Sequence, residues 1–227
     1  MLRASVRVLS FTVVALCLPG LAAAQVFIKG PRPRPGSVEV SGGGLWTAGQ
    51  NFPSSAAVLT GNPSTGNSSL DLFSSDPSLE SAVGGQGTVA VYITRALAIE
   101  GGVQYSRPKL TVSLTDDFED APDVTASTTI TSYLFTGSLV YHFGTSTRRV
   151  PFVAVGAGHV RDVHAGNEVL ETGLEFHGKA GMKFWFGPRR TAGLRVEGGL
   201  SVRDGGFSYD DERRLVPTVA ASFLYLF

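Results

Sequence analysis

Apolar and polar positions alternate with a period of two through eight runs of this chain: residues 37–47, 82–94, 97–107, 128–143, 150–160, 172–186, 192–203 and 215–227. Successive side chains of a β-strand point to opposite faces, so this period predicts strands. Each run is at least as long as the roughly 9–11 residues that a tilted strand needs to cross a bilayer. The sixth run shows the sorting best. Leu174, Phe176, Gly178, Ala180, Met182, Phe184 and Phe186 occupy one face, and Glu175, His177, Lys179 and Lys183 the other. The seventh sets Leu194, Val196, Gly198, Leu200 and Val202 against Arg195, Glu197 and Arg203, and the third sets Leu97, Ile99, Val103 and Tyr105 against Glu100 and Gln104. In the second and eighth runs Val89, Val91 and Ile93, then Val219, Phe223, Tyr225 and Phe227, share a face. Tyr133, Phe135, Tyr141 and Phe143 do so in the fourth, although Leu134 and Val140 lie opposite; the fifth run does not reveal its faces.

The connections alternate in length. Arg95-Ala96 and residues 144–149 and 187–191 are short, whereas residues 48–81, 108–127, 161–171 and 204–214 are long and polar. Short turns at one end and long loops at the other are the layout of an outer-membrane barrel, with the long side extracellular. No stretch after the first two dozen residues supplies the roughly 18 consecutive apolar residues of a spanning helix. Strands can cross hydrocarbon only as a closed cylinder, because every backbone N–H and C=O must then be paired within the protein. The expected fold is therefore all-β: an eight-stranded antiparallel transmembrane β-barrel in up-and-down meander, with its uncharged face toward lipid and its charged face inside.

The first 24 of the 227 residues read as a signal peptide: Arg3 and Arg7 precede an apolar stretch from Val8 to Leu18, and Ala22-Ala23-Ala24 offers small residues for cleavage. Removing them takes Arg3 and Arg7 away and leaves 17 basic side chains against 19 acidic, a balance that gives no sign of a nucleic-acid partner. It also removes Cys17, the single cysteine, so the mature chain has neither a disulfide framework nor a cysteine metal site; Leu16 before it argues against a lipoprotein signal. Residues 25–36 form a spacer in which Gly30-Pro31-Arg32-Pro33-Arg34-Pro35-Gly36 is expected to be extended and cationic. Residues 37–227 are the barrel domain.

A soluble lipocalin-like barrel also has eight strands. The final strand with no helix after it, the missing disulfides, and the aromatics at strand ends (Tyr141, Phe143, Phe184, Phe186, Tyr225 and Phe227) favour the membrane, where such rings form girdles. The ending Phe223-Leu224-Tyr225-Leu226-Phe227 resembles the C-terminal signal of outer-membrane proteins, and that resemblance implies recognition of Phe223, Tyr225 and Phe227 by the barrel-assembly machinery. The whole mature chain resembles the small outer-membrane β-barrel family of the OmpA membrane domain and OmpX, and residues 151–158 are similar to a strand common in it. The resemblance implies the outer membrane of a Gram-negative bacterium, with outer-membrane lipids and lipopolysaccharide as surroundings.

The inner faces carry Glu39, Glu100, Glu175 and Glu197 with Lys179, Lys183, Arg195 and Arg203. An eight-stranded interior is just wide enough for side chains to fill, so this balanced set is expected to plug the cylinder rather than line an ion path. Pairing Phe186 with Ala192 sets Glu197 opposite Gly181, diagonal to Lys179 and Lys183. Barrels of this size that the chain resembles include lipid A deacylases and acyltransferases. A deacylase of that kind needs a His-x-Ser pair, but none of His142, His159, His164 and His177 has Ser two residues on, and no Gly-x-Ser-x-Gly elbow occurs. A Ser-His-acid triad assembled from distant strands stays open. Asp116, Asp117, Glu119, Asp120 and Asp123, and Asp210, Asp211 and Glu212, read as solvated acidic loop tips and do not match an EF-hand. No catalytic, metal or cofactor site is expected. The role expected is structural or surface-binding, through long loops in which Leu70, Leu72 and Phe73 offer apolar contacts to an extracellular ligand. A narrow pore, a lipid A-modifying enzyme and a soluble binding barrel are the alternatives.

Overall fold

A strand with one apolar and one charged face must satisfy its backbone on both edges, and in lipid only ring closure does so. In the computed structural model, the described residues are 33–59, 70–117, 121–145, 147–164, 170–187, 190–205 and 213–227. Their strands are β1 (Val38–Thr47), β2 (Gln50–Asn51), β3 (Ser55–Leu59), β4 (Leu70–Leu79), β5 (Ala82–Tyr92), β6 (Leu97–Ser106), β7 (Lys109–Thr115), β8 (Val124–His142), β9 (Arg149–His164), β10 (Leu170–Phe186), β11 (Ala192–Gly205) and β12 (Arg214–Leu226). Eight of them, β1, β5, β6, β8, β9, β10, β11 and β12, pair antiparallel in that order. β12 returns to β1 with Glu39 opposite Leu226 and Thr47 opposite Thr218, which closes the ring. The chain is thus an eight-stranded up-and-down barrel.

Burial is inverted relative to a soluble domain. The outer surface shows Val89, Ile99, Val103, Phe135, Leu139, Val155, Leu174, Phe176, Leu200, Val219 and Phe223, all exposed, while Glu39, Glu100, Glu175, Lys183, Arg195 and Glu197 are buried inside. A Lys or Arg on the lipid face costs about 2–4 kcal/mol at the midplane, and that penalty drives the sorting. β9, whose faces the sequence left open, turns Val150, Phe152, Ala154, Val160 and Asp162 inward and Val153, Val155, His159 and Arg161 outward. Aromatic rings bound the apolar band. Tyr141 and Phe143 meet edge to face at 5.0 Å and Tyr225 and Phe227 at 4.7 Å at one end, and Tyr105 and Tyr133 pack at 5.4 Å at the other. Tyr133 and Tyr141 are eight positions apart in β8. At about 3.4 Å per residue and a tilt of roughly 40°, that separation spans about 20 Å of membrane normal, close to the about 25 Å apolar band of such barrels.

The short turns lie at the end with Tyr141 and Phe227. In the first, Ile93 N and Thr94 N donate to Leu97 O, and Thr94 Oγ1 accepts from the amides of Ala96 and Leu97 at 3.2 and 2.9 Å. The segment before β1 departs from the extended course expected of it. Arg34-Pro35-Gly36-Ser37 is a β-turn in which Ser37 N donates to Arg34 O, Pro35 holds the second position and Gly36 takes φ +84°, the signature of a type II turn. Gly36 N then donates to Tyr92 O at 2.8 Å, so the turn is tied to the end of β5.

The larger correction concerns the long polar segments. Residues 48–81 and 108–127 are not plain loops. β3, β4, β7 and the first part of β8 form a sheet that continues upward from the barrel wall, with β2 paired to β4. It has its own apolar core of Phe52, Leu79, Leu110 and Ile130, with Val112 packed against it. Leu79, Leu110 and Val112 sit among Ser and Thr at a density too low to read as a strand from sequence, and only pairing with the long β8 orders them. Residues 1–24, Gly30, Pro31, Arg32, Glu119, Asp120, Asp210, Asp211 and Glu212 lie outside the described residues.

Candidate functional site: the filled lumen and its covered mouth

Three layers of polar side chains cross the barrel. Nearest the short turns, Lys183 on β10 reaches across the lumen to Glu39 on β1, with Nζ 2.7 and 2.9 Å from the two carboxylate oxygens. Tyr92 donates its hydroxyl to Glu39 Oε2 at 2.8 Å. His142 Nδ1 lies 3.1 Å from Ala96 O, which can only accept, so that nitrogen carries the proton and Nε2 accepts from Lys183 Nζ at 2.8 Å. The ammonium finds its third neighbour in the Tyr92 hydroxyl at 3.3 Å. All three donors of this fully buried lysine are engaged, as burial of a charge demands. Beneath them Tyr92, Phe152, Trp185, Leu224 and Leu226 join an apolar cluster with Val140, Val150 and three alanines at the end of the short turns.

The middle layer is centred on Arg195, which is 0% exposed. Its guanidinium holds Glu100 by both terminal nitrogens, Nη2 at 3.1 Å from Oε1 and Nη1 on Oε2, and binds Glu197 through Nε at 2.7 Å. Gln86 completes Glu197 at 3.0 Å and ties it to Ser222 at 3.1 Å. The guanidinium also lies over the Phe152 ring, 4.6 Å from its centroid. Gly181 makes that stack possible: a Cβ there would stand 2.7 Å from Phe152 Cζ and 2.4 Å from Val196 O. Higher in the lumen, Arg203 binds Glu175 through Nε and Nη2 at 3.1 and 3.0 Å.

The strand register agrees with the sequence reading here, since Phe186 faces Ala192 and Gly181 faces Glu197. The partners differ. Glu197 turns to Arg195 on its own strand and to Gln86, not to Lys179 or Lys183; Lys183 goes to Glu39, three strands away around the wall; and Lys179 makes no ion pair with a described residue. Neighbour spacing on one sheet cannot reveal which groups meet across the lumen, because closure and tilt decide that. Gln86 and Tyr92 escaped the sequence reading, although the same alternation that turns Val89 and Val91 outward turns them inward, and His142 entered it only as a catalytic candidate.

Ser138, His177 and Glu175 come together in the order of a nucleophile, base and acid. Ser138 Oγ is 2.9 Å from His177 Nε2, but His177 Nδ1 stands 3.9 Å from Glu175 Oε1, beyond hydrogen-bond reach, and Arg203 holds that carboxylate. The other histidines lie elsewhere: His142 in the lowest layer, His159 on the outer wall, and His164 against Glu171 at 3.2 Å. Leu72 and Phe73 on β4 are half-buried, Phe73 facing Ala57 of β3. Among the described residues no three His, Cys, Asp or Glu side chains gather to hold a metal.

A closed cylinder with a lipid-compatible outer band, aromatic girdles and a buried ionic interior defines an outer-membrane barrel. Residues 42–211 match the family described as the outer membrane protein beta-barrel domain, and the chain belongs to that family. It is a protein of the Gram-negative outer membrane. Among solved structures, the outer membrane protein OprG of Pseudomonas aeruginosa is similar at 14% identity and a TM-score of 0.56, covering 86% of this chain and 97% of its own. Neisserial surface protein A is similar at 14% identity and a TM-score of 0.50, covering 84% and 97%. At that identity the likeness is one of fold. No curated protein sequence matches the chain.

Proposed function

We propose that this chain is a non-enzymatic barrel with a plugged lumen, and that its role is to present a rigid binding surface outside the cell. One observation carries the reading: the segments that rise from the barrel wall are built into a sheet with its own apolar core, above a lumen filled by ion pairs. A surface fixed in shape lowers the ordering cost of recognition. The filled lumen speaks against a pore, and the 3.9 Å gap between His177 and Glu175 speaks against acyl transfer. The alternating aromatics Phe223, Tyr225 and Phe227 support recognition by the assembly machinery, and residues 1–24 support export by a cleaved signal.

Bacteria displaying the chain should adhere to immobilised extracellular-matrix proteins and lose adhesion when residues 48–81 are replaced by a short turn; equal adhesion of both would overturn the binding role. In planar bilayers the intact barrel should show no unitary conductance. Discrete channels in the unmodified barrel would refute the plug, and labelling of Ser138 by a fluorophosphonate would return the enzyme reading.

A further inference from the structure

A small cavity remains where the extracellular sheet meets the rim of the barrel. Gln50 and Glu80 line it from above, and Ser132, Asp162 and Arg203 from the barrel wall. Two buried acceptors in this cavity have no donor: Oε1 of Gln50, a residue 8% exposed, and Oδ1 of Asp162, 3% exposed. Asp162 faces Ser132 across the β8–β9 ladder, yet its Oδ1 stays unmatched. Arg203 and Arg214 both act on Asp162 electrostatically, with Glu171 opposing them, but the Arg203 guanidinium is held by Glu175. Gln50 is carried over the cavity by the pairing of β2 with β4, opposite Leu79. Buried acceptors are normally satisfied, and a carboxylate withdrawn from water needs a counter-charge.

We propose that this cavity binds a primary ammonium group that enters from outside the cell, as the end of a free diamine or as a lysine side chain of another protein. An ammonium brings three N–H donors and one positive charge in the volume of about one water molecule. Asp162 Oδ1 supplies the counter-charge and the first acceptor, and Gln50 Oε1 the second. Glu80, exposed at the rim, adds negative charge along the approach. A dedicated divalent-cation site draws chiefly on several carboxylates, and the described residues bring no three such ligands together. The pocket does not depend on the adhesive role, since it rests on the unmatched oxygens alone.

Refolded barrel in detergent micelles is titrated with putrescine, with a capped lysine peptide, and with tetramethylammonium, which has the charge but no N–H donors; binding is followed by NMR shifts of the amides of residues 50, 132 and 162. Saturable shifts with putrescine alone assign a free amine, with the peptide alone a protein lysine, and with both an opening that admits either. Asp162→Asn should weaken binding at least about tenfold, the scale of one charge-assisted hydrogen bond. Gln50→Met, which lies outside the barrel ladder, should weaken it with heat-modifiable migration intact, so a folding defect at Asp162 leaves the test standing. Absence of shifts with both amines, equal binding of tetramethylammonium, or unchanged affinity in both variants would overturn the proposal.

Discussion

Arg195 is the side chain on which the interior depends most, because two carboxylates from different strands share its one guanidinium. Its removal leaves Glu100 and Glu197 buried without a cation. Arg195→Met should lower unfolding stability in lipid vesicles by about 3–5 kcal/mol, read from urea titrations. Adding Glu100→Gln and Glu197→Gln should restore most of the loss, since a neutral interior escapes the desolvation penalty; no recovery would show that packing on Phe152, not charge, sets the cost. That these residues point inward follows from alternation alone. That Arg195 chooses Glu100, carried by a strand that is not its neighbour, does not.

At the scale of the element, lipid-facing strands and the sheet above the barrel wall obey different solvents. Val155 lies in the middle of β9, exposed to lipid between the aromatic girdles. Val155→Lys should cost about 2–4 kcal/mol, whereas Val83→Lys, at the rim beside Trp46, should cost about 0–1 kcal/mol in the same titration. The sheet above the barrel answers to the ordinary hydrophobic effect. Phe52→Ala should cost about 3–5 kcal/mol locally. Limited proteolysis should then cut within residues 48–81, while the barrel keeps its heat-modifiable migration. Cleavage throughout the barrel would mean that sheet and barrel unfold as one. Barrel strands are legible because bilayer exclusion enforces strict alternation over ten residues or more. β3, β4 and β7 are not, because water on their outer side tolerates Ser and Thr there, and their order comes from pairing with β8. The fifth strand hid its faces for a related reason: Gly156 and Gly158 stand where inward side chains would have marked one.

For the whole molecule, membrane location, the number of barrel strands and, outside the fifth of them, the sign of each face were determined by the linear order of residues, since the cost of an unpaired backbone group or a charge in hydrocarbon is paid position by position. Only the closed tertiary structure decided which charges meet, that the upper segments form a sheet continuing from the wall, and that Asp162 and Gln50 share a cavity. Those contacts join parts of the chain far apart in sequence, as Lys183 and Glu39 show, and depend on how eight tilted strands are staggered when the first meets the last. Alternation carries no information about that stagger, and so the inward charges are legible as a composition while their wiring belongs to the fold.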